Sequence, residues 1–350
     1  MGWLAALVEL LRGLWLWCFS PRLTLDGGMV VYRGAWLAEG GFSTVYTGAD
    51  AASGRPLALK FVRVGDREQH DAALREVRAH RRVDDAHVLE LLDAAVLQLR
   101  GPAWFGPTAQ FAVLAFPRMT LGSLRSLIDV LVLRRDEGTY WDCGELVRVF
   151  EGVCRGVAAM HAAGMAHRDV KPDNVLLDGP PDAPRAVLMD LGSTAPIHVA
   201  VETRRDALAV QDEAACNSTM TYRAPELWQP IVGSAVTGAA DAWSLGCLLW
   251  AMASSRAAGW GYSPFEADFI GALKLPRVVE CTHLRVLSVP PPPPAPRLPP
   301  GDSPRDGAAF YAGVEGLARS LFHADASQRP TLETTLVRLS VLRSGAVDNA

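Results

Sequence analysis

The stretch His167-Arg168-Asp169-Val170-Lys171-Pro172-Asp173-Asn174, followed further along the chain by Asp190-Leu191-Gly192, decides the fold. Moving a phosphoryl group requires a carboxylate for the acceptor, a cation for the developing charge and oxygen ligands for a metal ion. Asp169 can position an acceptor hydroxyl and take its proton, and Lys171 can reach the phosphate from the same loop. The oxygen donors of Asn174 and Asp190 suit a hard cation such as Mg²⁺. The spacing therefore predicts a phosphoryl-transfer centre.

Each half of this pattern is a weak signal when taken alone. An isolated Asp-x-Lys or Asp-x-Gly is usually a turn with a solvated carboxylate. The interpretation therefore depends on whether independent parts of the chain fall in the order that nucleotide binding requires.

A glycine-rich segment precedes the centre. It lies between two runs of strand character and predicts a strand-turn-strand lid over nucleotide phosphates. Ala38 and Ser43 stand where a complete G-x-G-x-x-G has its first and third glycines, so an ordinary glycine hairpin is the alternative. The residues expected to bind the nucleotide here are Leu37, Ala38, Glu39, Gly40, Gly41, Phe42, Ser43 and Val45.

A candidate phosphate-binding lysine follows. The run Leu57-Ala58-Leu59-Lys60 is typical of a strand whose lysine holds the α- and β-phosphates of ATP. That lysine needs a carboxylate partner, and Glu76 lies in a helix-favouring segment from Asp71 to Arg82. Glu68 and Glu90 are poorer candidates. A solvated surface glutamate is the alternative interpretation of Glu76.

A short apolar run from Phe111 to Ala115 predicts a buried strand, with a hinge after it at residues 116–119. Phe116 is then expected to be the gatekeeper. Backbone groups near Arg118 and Met119 are expected to bind the adenine ring. The expected apolar walls of the adenine site are Val45, Ala58 and Leu176.

The segment Thr221-Tyr222-Arg223-Ala224-Pro225-Glu226 resembles the end of a protein-kinase activation segment. The resemblance implies a buried ion pair between Glu226 and Arg329, and a contact between the hydroxyl of Thr221 and the catalytic loop. Arg168 could pair with a phosphate placed on a hydroxyl of this segment and order it. The candidate hydroxyls are those of Ser193, Thr194, Thr203, Ser218, Thr219 and Thr221.

Three stretches, residues 38–45, 166–172 and 187–193, together resemble the Numb-associated kinase family over about residues 30–340. The resemblance implies an α+β, bilobal protein-kinase fold, with a small β-rich N-lobe that carries one main helix (residues 25–119) and a larger α-helical C-lobe (residues 120–340). It also implies ATP and Mg²⁺ dependence, serine/threonine specificity, autophosphorylation and a role around membrane trafficking. Lys171 independently favours acceptors with aliphatic hydroxyls.

Composition agrees with these expectations. The 350 residues, 49% of them hydrophobic, suit one catalytic domain of two lobes. The formal net charge of −4 and the lack of a basic run argue against a nucleic-acid partner. The six cysteines show no paired metal-ligand spacing, so structural zinc is not expected.

Residues 1–24 form an apolar N-terminal segment. The stretch 2–19 is too short and interrupted for a membrane span of about 20 residues and lacks the basic start of a secretory signal. An interfacial helix is expected to bind a membrane surface, and packing on the small lobe is the alternative. Ala6 departs from the myristoylation pattern at Gly2, so Cys18 is the better acylation candidate. The protein is expected to be cytoplasmic and peripheral on the Golgi, other endomembranes or the plasma membrane.

Residues 290–304 are rich in proline and predict an extended, solvated loop, either a neutral insertion or a ligand for proline-binding modules. Glu145 to Ala163 and Asp241 to Ala253 predict buried helices, and residues 341–350 are expected to form a tail.

Two rival functions remain. A pseudokinase scaffold that binds ATP without efficient transfer would keep the fold and lose a catalytic group, yet Lys60, Glu76, Asp169, Asn174 and Asp190 are all present. A small-molecule kinase would not need the Ala224-Pro225-Glu226 platform, which holds a polypeptide. The sequence thus predicts a serine/threonine kinase whose substrates are proteins.

Overall fold

A computed structural model describes residues 22–40, 43–99, 109–133, 143–257 and 304–347. The chain divides into two compact units. The first contains the residues up to Asp84 together with Leu89–Met119, and the second contains Asp85–Val88 and everything from Thr120 onward. The predictions for residues 2–19 and 290–303 lie outside the described residues.

The first unit is built on a six-stranded antiparallel sheet with the order β1-β2-β3-β4-β6-β5. Alternating residues of β4, namely Leu57, Leu59 and Phe61, are buried in its core, as the two-residue period of a strand requires. Because β1 pairs with β2, residues 22–24 belong to the sheet and not to the N-terminal segment. The strands are β1 (Arg22–Thr24), β2 (Val30–Glu39), β3 (Ser43–Asp50), β4 (Pro56–Val64), β5 (Asp93–Leu99) and β6 (Ala109–Pro117).

Helix α1 (Arg67–Arg82) packs on this sheet. It begins four residues before the predicted start at Asp71, because Asp66 caps it: Oδ1 of Asp66 accepts a hydrogen bond from the amide of Gln69 at 2.8 Å. Its buried face includes Ala73, Glu76 and Val77. The predicted helix is therefore confirmed, with an earlier N-terminus.

The second unit is mainly helical. Helix α6 is buried on almost every side along its described side chains, as expected for an element that is apolar all round. The two predicted buried helices are confirmed as α3 and α6. The helices are α2 (Leu124–Leu133), α3 (Cys143–Ala162), α4 (Arg204–Asn217), α5 (Pro225–Trp228), α6 (Ala239–Ala257), α7 (Pro304–Leu321) and α8 (Leu332–Val347).

Short strand pairs frame the loops of the second unit. The loop that carries Asp169 lies between two of these strands, β7 and β8, and Asp190 follows β9. The antiparallel pairs are β7 (Met165–Ala166) with β10 (Ala195–Pro196), β8 (Val175–Asp178) with β9 (Arg185–Leu188), and β11 (His198–Val201) with β12 (Ser234–Thr237).

Residues 85–88 belong to the second unit although the first unit surrounds them in sequence. Nδ1 of His87 lies 2.9 Å from the carbonyl oxygen of Ala186, and the carbonyl oxygen of His87 accepts from the amide of Leu188 at 2.8 Å. A Cβ added to Gly156 on α3 would lie 2.5 Å from that carbonyl oxygen. The close approach therefore requires glycine at this position.

Two boundaries differ from the sequence predictions. Pro304 begins α7 and is not part of an extended loop, since proline suits the first turn of a helix, where its missing N–H is not needed. Helix α8 continues to Val347 through residues predicted as a tail. Among the helices of the described ranges, none has the length and hydropathy needed to cross a membrane.

Candidate active site

Lys60 and Glu76 form an ion pair inside the first unit. Nζ of Lys60 lies 2.7 Å from Oε1 of Glu76, and the side chains are 17% and 6% exposed. β4 holds the lysine between its register partners Val45 on β3 and Leu114 on β6. The predicted pair is confirmed, and the alternative of a solvated surface glutamate is wrong. The buried carboxylate fixes the position of the ammonium group, which can then bind a phosphate.

The glycine-rich segment connects β2 and β3 as the sequence predicts. Leu37, Ala38 and Glu39 end β2, and Ser43 and Val45 lie at the start of β3. The amide of Gly40 donates to the carbonyl oxygen of Ser43 at 2.8 Å. Strand-turn-strand geometry is confirmed for these residues, and Gly41 and Phe42 lie outside the described residues.

The predicted hinge begins later than the sequence indicated. Phe116 and Pro117 still belong to β6, because β4 offers register partners as far as Pro117. The amide of Arg118 donates to the carbonyl oxygen of Pro56 at 3.3 Å, so this N–H is already engaged. Among the described residues, none makes a backbone hydrogen bond to the carbonyl of Arg118 or to the backbone of Met119, so these groups can bind a base. The predicted apolar walls are half-buried strand residues, Val45 on β3, Ala58 on β4 and Leu176 on β8.

Asp169 is held by three donors in the second unit. Oδ1 accepts from the amide of Thr219 at 2.8 Å, while Oδ2 accepts from Nζ of Lys171 at 2.8 Å and from Nδ2 of Asn174 at 3.0 Å. Nζ of Lys171 also donates to Oγ1 of Thr219 at 2.6 Å. The ammonium group of Lys171 thus bridges the carboxylate of Asp169 and the hydroxyl of Thr219. This is an arrangement suited to taking a proton from an acceptor and to offsetting negative charge.

Asp241, at the start of α6, anchors the backbone of the same loop. Its carboxylate accepts from the amides of His167 and Arg168 at 2.8 Å each and lies 2.8 Å from Nε2 of His161. Burial raises the pKa of this carboxyl, but the hydrogen bond and charge of His161 and the amide of Arg168 outweigh burial, so the net pKa lies below its ordinary value. Arg168 has φ +70°, a conformation that a side-chain residue keeps only when its surroundings hold it.

His167 links Asp169 to the chain before Asp190. Nδ1 of His167 accepts from the amide of Asp169 at 3.2 Å, and Nε2 lies 3.0 Å from the carbonyl oxygen of Met189. Because a carbonyl only accepts, the ring proton lies on Nε2. Asp190 follows directly with φ +63°. One imidazole therefore connects the backbones of both functional aspartates.

The pattern of the protein kinase domain matches residues 33–338. The chain belongs to the protein kinase domain family. Serine/threonine-protein kinase 16 of Rattus norvegicus is 33% identical over 313 residues, which is 89% of this chain and 89% of that protein. The Homo sapiens protein of the same name has the same identity and coverage. Serine/threonine-protein kinase ENV7 of Saccharomyces cerevisiae is 27% identical over 66% of this chain and 74% of its own length.

The kinase is a serine/threonine protein kinase, and its α+β bilobal fold class is the one that the sequence predicted. These relatives do not support the pseudokinase alternative. They also do not establish membership of the Numb-associated family.

The kinase has the predicted ion pair between Glu226 and Arg329. Nη1 and Nη2 of Arg329 lie 2.6 and 2.8 Å from the two carboxylate oxygens of Glu226. The arginine also donates from Nη1 to the carbonyl oxygen of Ala239 at 2.7 Å and from Nε to that of His323 at 2.8 Å. The pair therefore joins α5, the start of α6 and the turn before α8.

The activation segment contacts the catalytic loop through Thr219, which the sequence did not single out for this contact. Oγ1 of Thr219 accepts a hydrogen bond from Nζ of Lys171 at 2.6 Å. Thr221 is buried, and its predicted contact with the catalytic loop stays a prediction.

Sequence reasoning missed two further features of the kinase. Asp241 was noted only as part of a helix start, although a lone acidic residue in an apolar helix is a sign of a buried acceptor. Helix α4 was not predicted at all. Its start carries a capping box, in which Thr203 and Asp206 bond to each other's backbone amides, and the Thr-x-x-Asp spacing was visible in the sequence.

Proposed function

We propose that the kinase transfers the γ-phosphate of ATP to serine and threonine hydroxyls of proteins. The observation that carries the proposal is the bonding of Asp169 to both Lys171 and Thr219. Asp169 accepts the proton of the acceptor hydroxyl while the hydroxyl oxygen attacks the γ-phosphorus. The bond from that phosphorus to the bridging oxygen breaks, and ADP leaves with the electron pair. Lys171 offsets the negative charge of the transferred group.

Lys60, positioned by Glu76, binds the α- and β-phosphates. The backbone of the turn after Glu39 covers the phosphates, and Met119 contributes backbone groups to the adenine ring. The support for these roles is the 2.7 Å ion pair in the first unit and the strand-turn-strand geometry around Gly40.

Asn174 and Asp190 hold Mg²⁺. Nδ2 of Asn174 donates to the backbone carbonyl oxygen and to Oδ2 of Asp169, and this orients the side-chain oxygen of Asn174 for a metal. Asp190 supplies a half-buried carboxylate. Mg²⁺ usually takes one or two side-chain oxygens together with substrate phosphates, so the donor set fits. When bound, the ion neutralises phosphate charge.

The test is transfer of labelled γ-phosphate from ATP and Mg²⁺ to the protein itself and to a generic Ser/Thr peptide. Asp190→Ala removes the proposed metal ligand, and Asp173→Asn changes an exposed aspartate in the same loop as a matched control. We expect label on serine or threonine that is lost with Asp190→Ala and kept with Asp173→Asn. A folded wild-type protein that binds ATP and transfers no label would refute the proposal.

We also propose that the kinase belongs to the Numb-associated family, close to the myristoylated and palmitoylated serine/threonine kinase, and acts at membranes in trafficking. The support is the resemblance of residues 38–45, 166–172 and 187–193, together with the apolar stretch 2–19. Acylation at Gly2 or Cys18 would hold it on the Golgi, another endomembrane or the plasma membrane.

Deletion of residues 2–20 tests the membrane part. We expect the full chain to sediment with membranes and the shortened chain to remain in the supernatant with its kinase activity intact. Equal membrane partition of the two proteins would contradict the proposal, and Cys18→Ser separates acylation from interfacial binding.

A further inference from the structure

Helix α1 carries arginines on one exposed face of its C-terminal half. Arg75, Arg78 and Arg82 follow one another at spacings of three and four residues, which places them on the same side of the helix. All three are exposed, as is Arg81. The buried positions of α1, among them Glu76, lie on the other side, where the helix packs on the sheet. The arginine face therefore points away from the sheet.

The two halves of α1 differ in charge. The N-terminal half contains Asp71, which lies 3.9 Å from Arg67. From residue 72 to the end of the helix the acidic residue is Glu76, and it is buried. Within the described ranges, no carboxylate lies within ion-pairing distance of Arg75 or Arg78. The exposed surface of the C-terminal half is therefore positively charged.

The dipole of the helix explains only part of this pattern. Cations stabilise the last turn of a helix, and the effect falls off beyond that turn. Arg81 and Arg82 lie in the last turn of α1, whereas Arg75 and Arg78 lie before it. Arginines grouped on one face without counter-charges create a positive potential that attracts anions, and their guanidinium groups suit phosphate and carboxylate.

The apolar N-terminal stretch belongs to the same unit as this face. The 21 residues before Arg22 include the stretch 2–19, and Arg22 begins β1. Helix α1 contacts β4, which lies three strands from β1 in the sheet, a separation of about 14 Å. About 20 residues span about 30 Å even as a helix. One flat anionic surface can therefore meet both the arginines and the apolar stretch, whereas an acidic peptide would engage the arginines alone.

We propose that the arginine face of α1, formed by Arg75, Arg78, Arg81 and Arg82, binds the anionic headgroups of a membrane leaflet. The inference rests on the proposed membrane association and names its lipid class, phospholipids of net negative charge such as phosphatidylserine. One acyl chain alone gives marginal, reversible binding, and a basic surface beside it makes the attachment stable. Each arginine at such a surface strengthens binding about fivefold.

The experiment measures sedimentation of the full chain with vesicles of phosphatidylcholine alone and with vesicles that also contain phosphatidylserine. The double variant Arg75→Gln, Arg78→Gln removes two charges from the face. The double variant Arg204→Gln, Arg205→Gln removes two exposed charges from α4 and is the matched control.

We expect the α1 variant to lose about thirtyfold in partition onto the phosphatidylserine vesicles and to match wild type on phosphatidylcholine alone. The control should match wild type on both. Salt at about 1 M should remove the difference between wild type and the α1 variant, because the Debye length is then about 3 Å. Thermal unfolding of both variants should match wild type, since the replaced side chains are exposed.

Equal partition of wild type and the α1 variant onto the phosphatidylserine vesicles would overturn the inference. An equal loss in the control would overturn it too, because net charge and not this face would then attract the vesicles. Binding of soluble polyglutamate that depends on Arg75 and Arg78, with vesicle binding unchanged by their replacement, would assign the face to an acidic polypeptide instead. Wild type that binds both kinds of vesicle equally would leave the proposed membrane association standing without this inference, and wild type that binds neither kind would refute both.

Discussion

Replacement of Asp241 by asparagine removes a charge that holds the catalytic loop. The carboxylate accepts the amides of His167 and Arg168 and contacts Nε2 of His161, each at 2.8 Å. Asparagine has one acceptor oxygen and an NH₂ group in place of the second oxygen. Because the two backbone amides bond to different oxygens of Asp241, the NH₂ group would face at least one backbone N–H, and that hydrogen bond would be lost. A hydrogen bond to a charged group contributes about 1.5–3 kcal/mol. We therefore expect Asp241→Asn to lower the free energy of unfolding by at least about 2 kcal/mol.

Urea denaturation measures this loss, with Asp182→Asn on an exposed turn as the control. The kinase assay measures the second expected effect, a fall of about tenfold or more in kcat, because the loop that positions Asp169 loses at least one fixed amide. A variant whose unfolding free energy and kcat both match the control would refute the assignment of Asp241 as the anchor.

The same substitution predicts a pH effect. The pKa of Asp241 is lowered in the folded kinase, so its carboxylate contributes stability that is present above the unfolded pKa and is lost as the pH falls through the folded pKa. Asp241→Asn should therefore lose less unfolding free energy than wild type on acidification below about pH 4. Equal acid sensitivity of the two proteins would contradict the reasoning.

Three further predictions concern the activation segment, the ion pair and the cysteines. Thr219→Ala should lower kcat about tenfold while Thr219→Ser keeps it, because Lys171 bonds to the hydroxyl; similar kcat values for the two variants would be inconsistent with that bond. Arg329→Met should lower the free energy of unfolding by about 3–5 kcal/mol in urea denaturation, because Glu226 is left without its partner; a loss below about 1 kcal/mol would show that the pair behaves as a surface one. Burial raises the pKa of the Cys154 thiol, so mild alkylation of the folded protein should label exposed Cys216 and spare Cys154, as peptide mass mapping can show; early labelling of Cys154 would contradict its burial.

The parts of the site that could be predicted from the sequence are those whose residues lie close together in the chain or in segments with a clear periodic pattern. Asp169, Lys171 and Asn174 lie within six consecutive residues, so their mutual contacts depend on one loop. The pairing of Lys60 with Glu76 was also predictable, because the strand and the amphipathic helix each carry a clear periodic pattern.

The remaining features depend on partners that are distant in sequence. β6 continues through Pro117 because β4 extends to meet it, and no residue near Pro117 signals that length. The buried residues of helix α4 are Val210 and Ala214. Two buried positions are too few to produce a recognisable hydrophobic pattern of helical period in the sequence. The role of Asp241 becomes visible only when the loop before Asp169 folds against it.

The four residues Asp85–Val88 bear on how the kinase can be divided by protein engineering. A fragment that ends at Met119 would carry this stretch away from α3 and β9, and the shortened second unit would be left with a groove over Gly152 and Gly156, whose missing side chains exist to admit His87. For two separate fragments to reassemble, His87 on the first fragment would have to insert again between the residues around Gly152 and Gly156 on the second. Circular permutation with a new terminus in an exposed loop keeps residues 85–88 in one continuous chain with α3 and β9, so it is better suited to this kinase than division into two fragments.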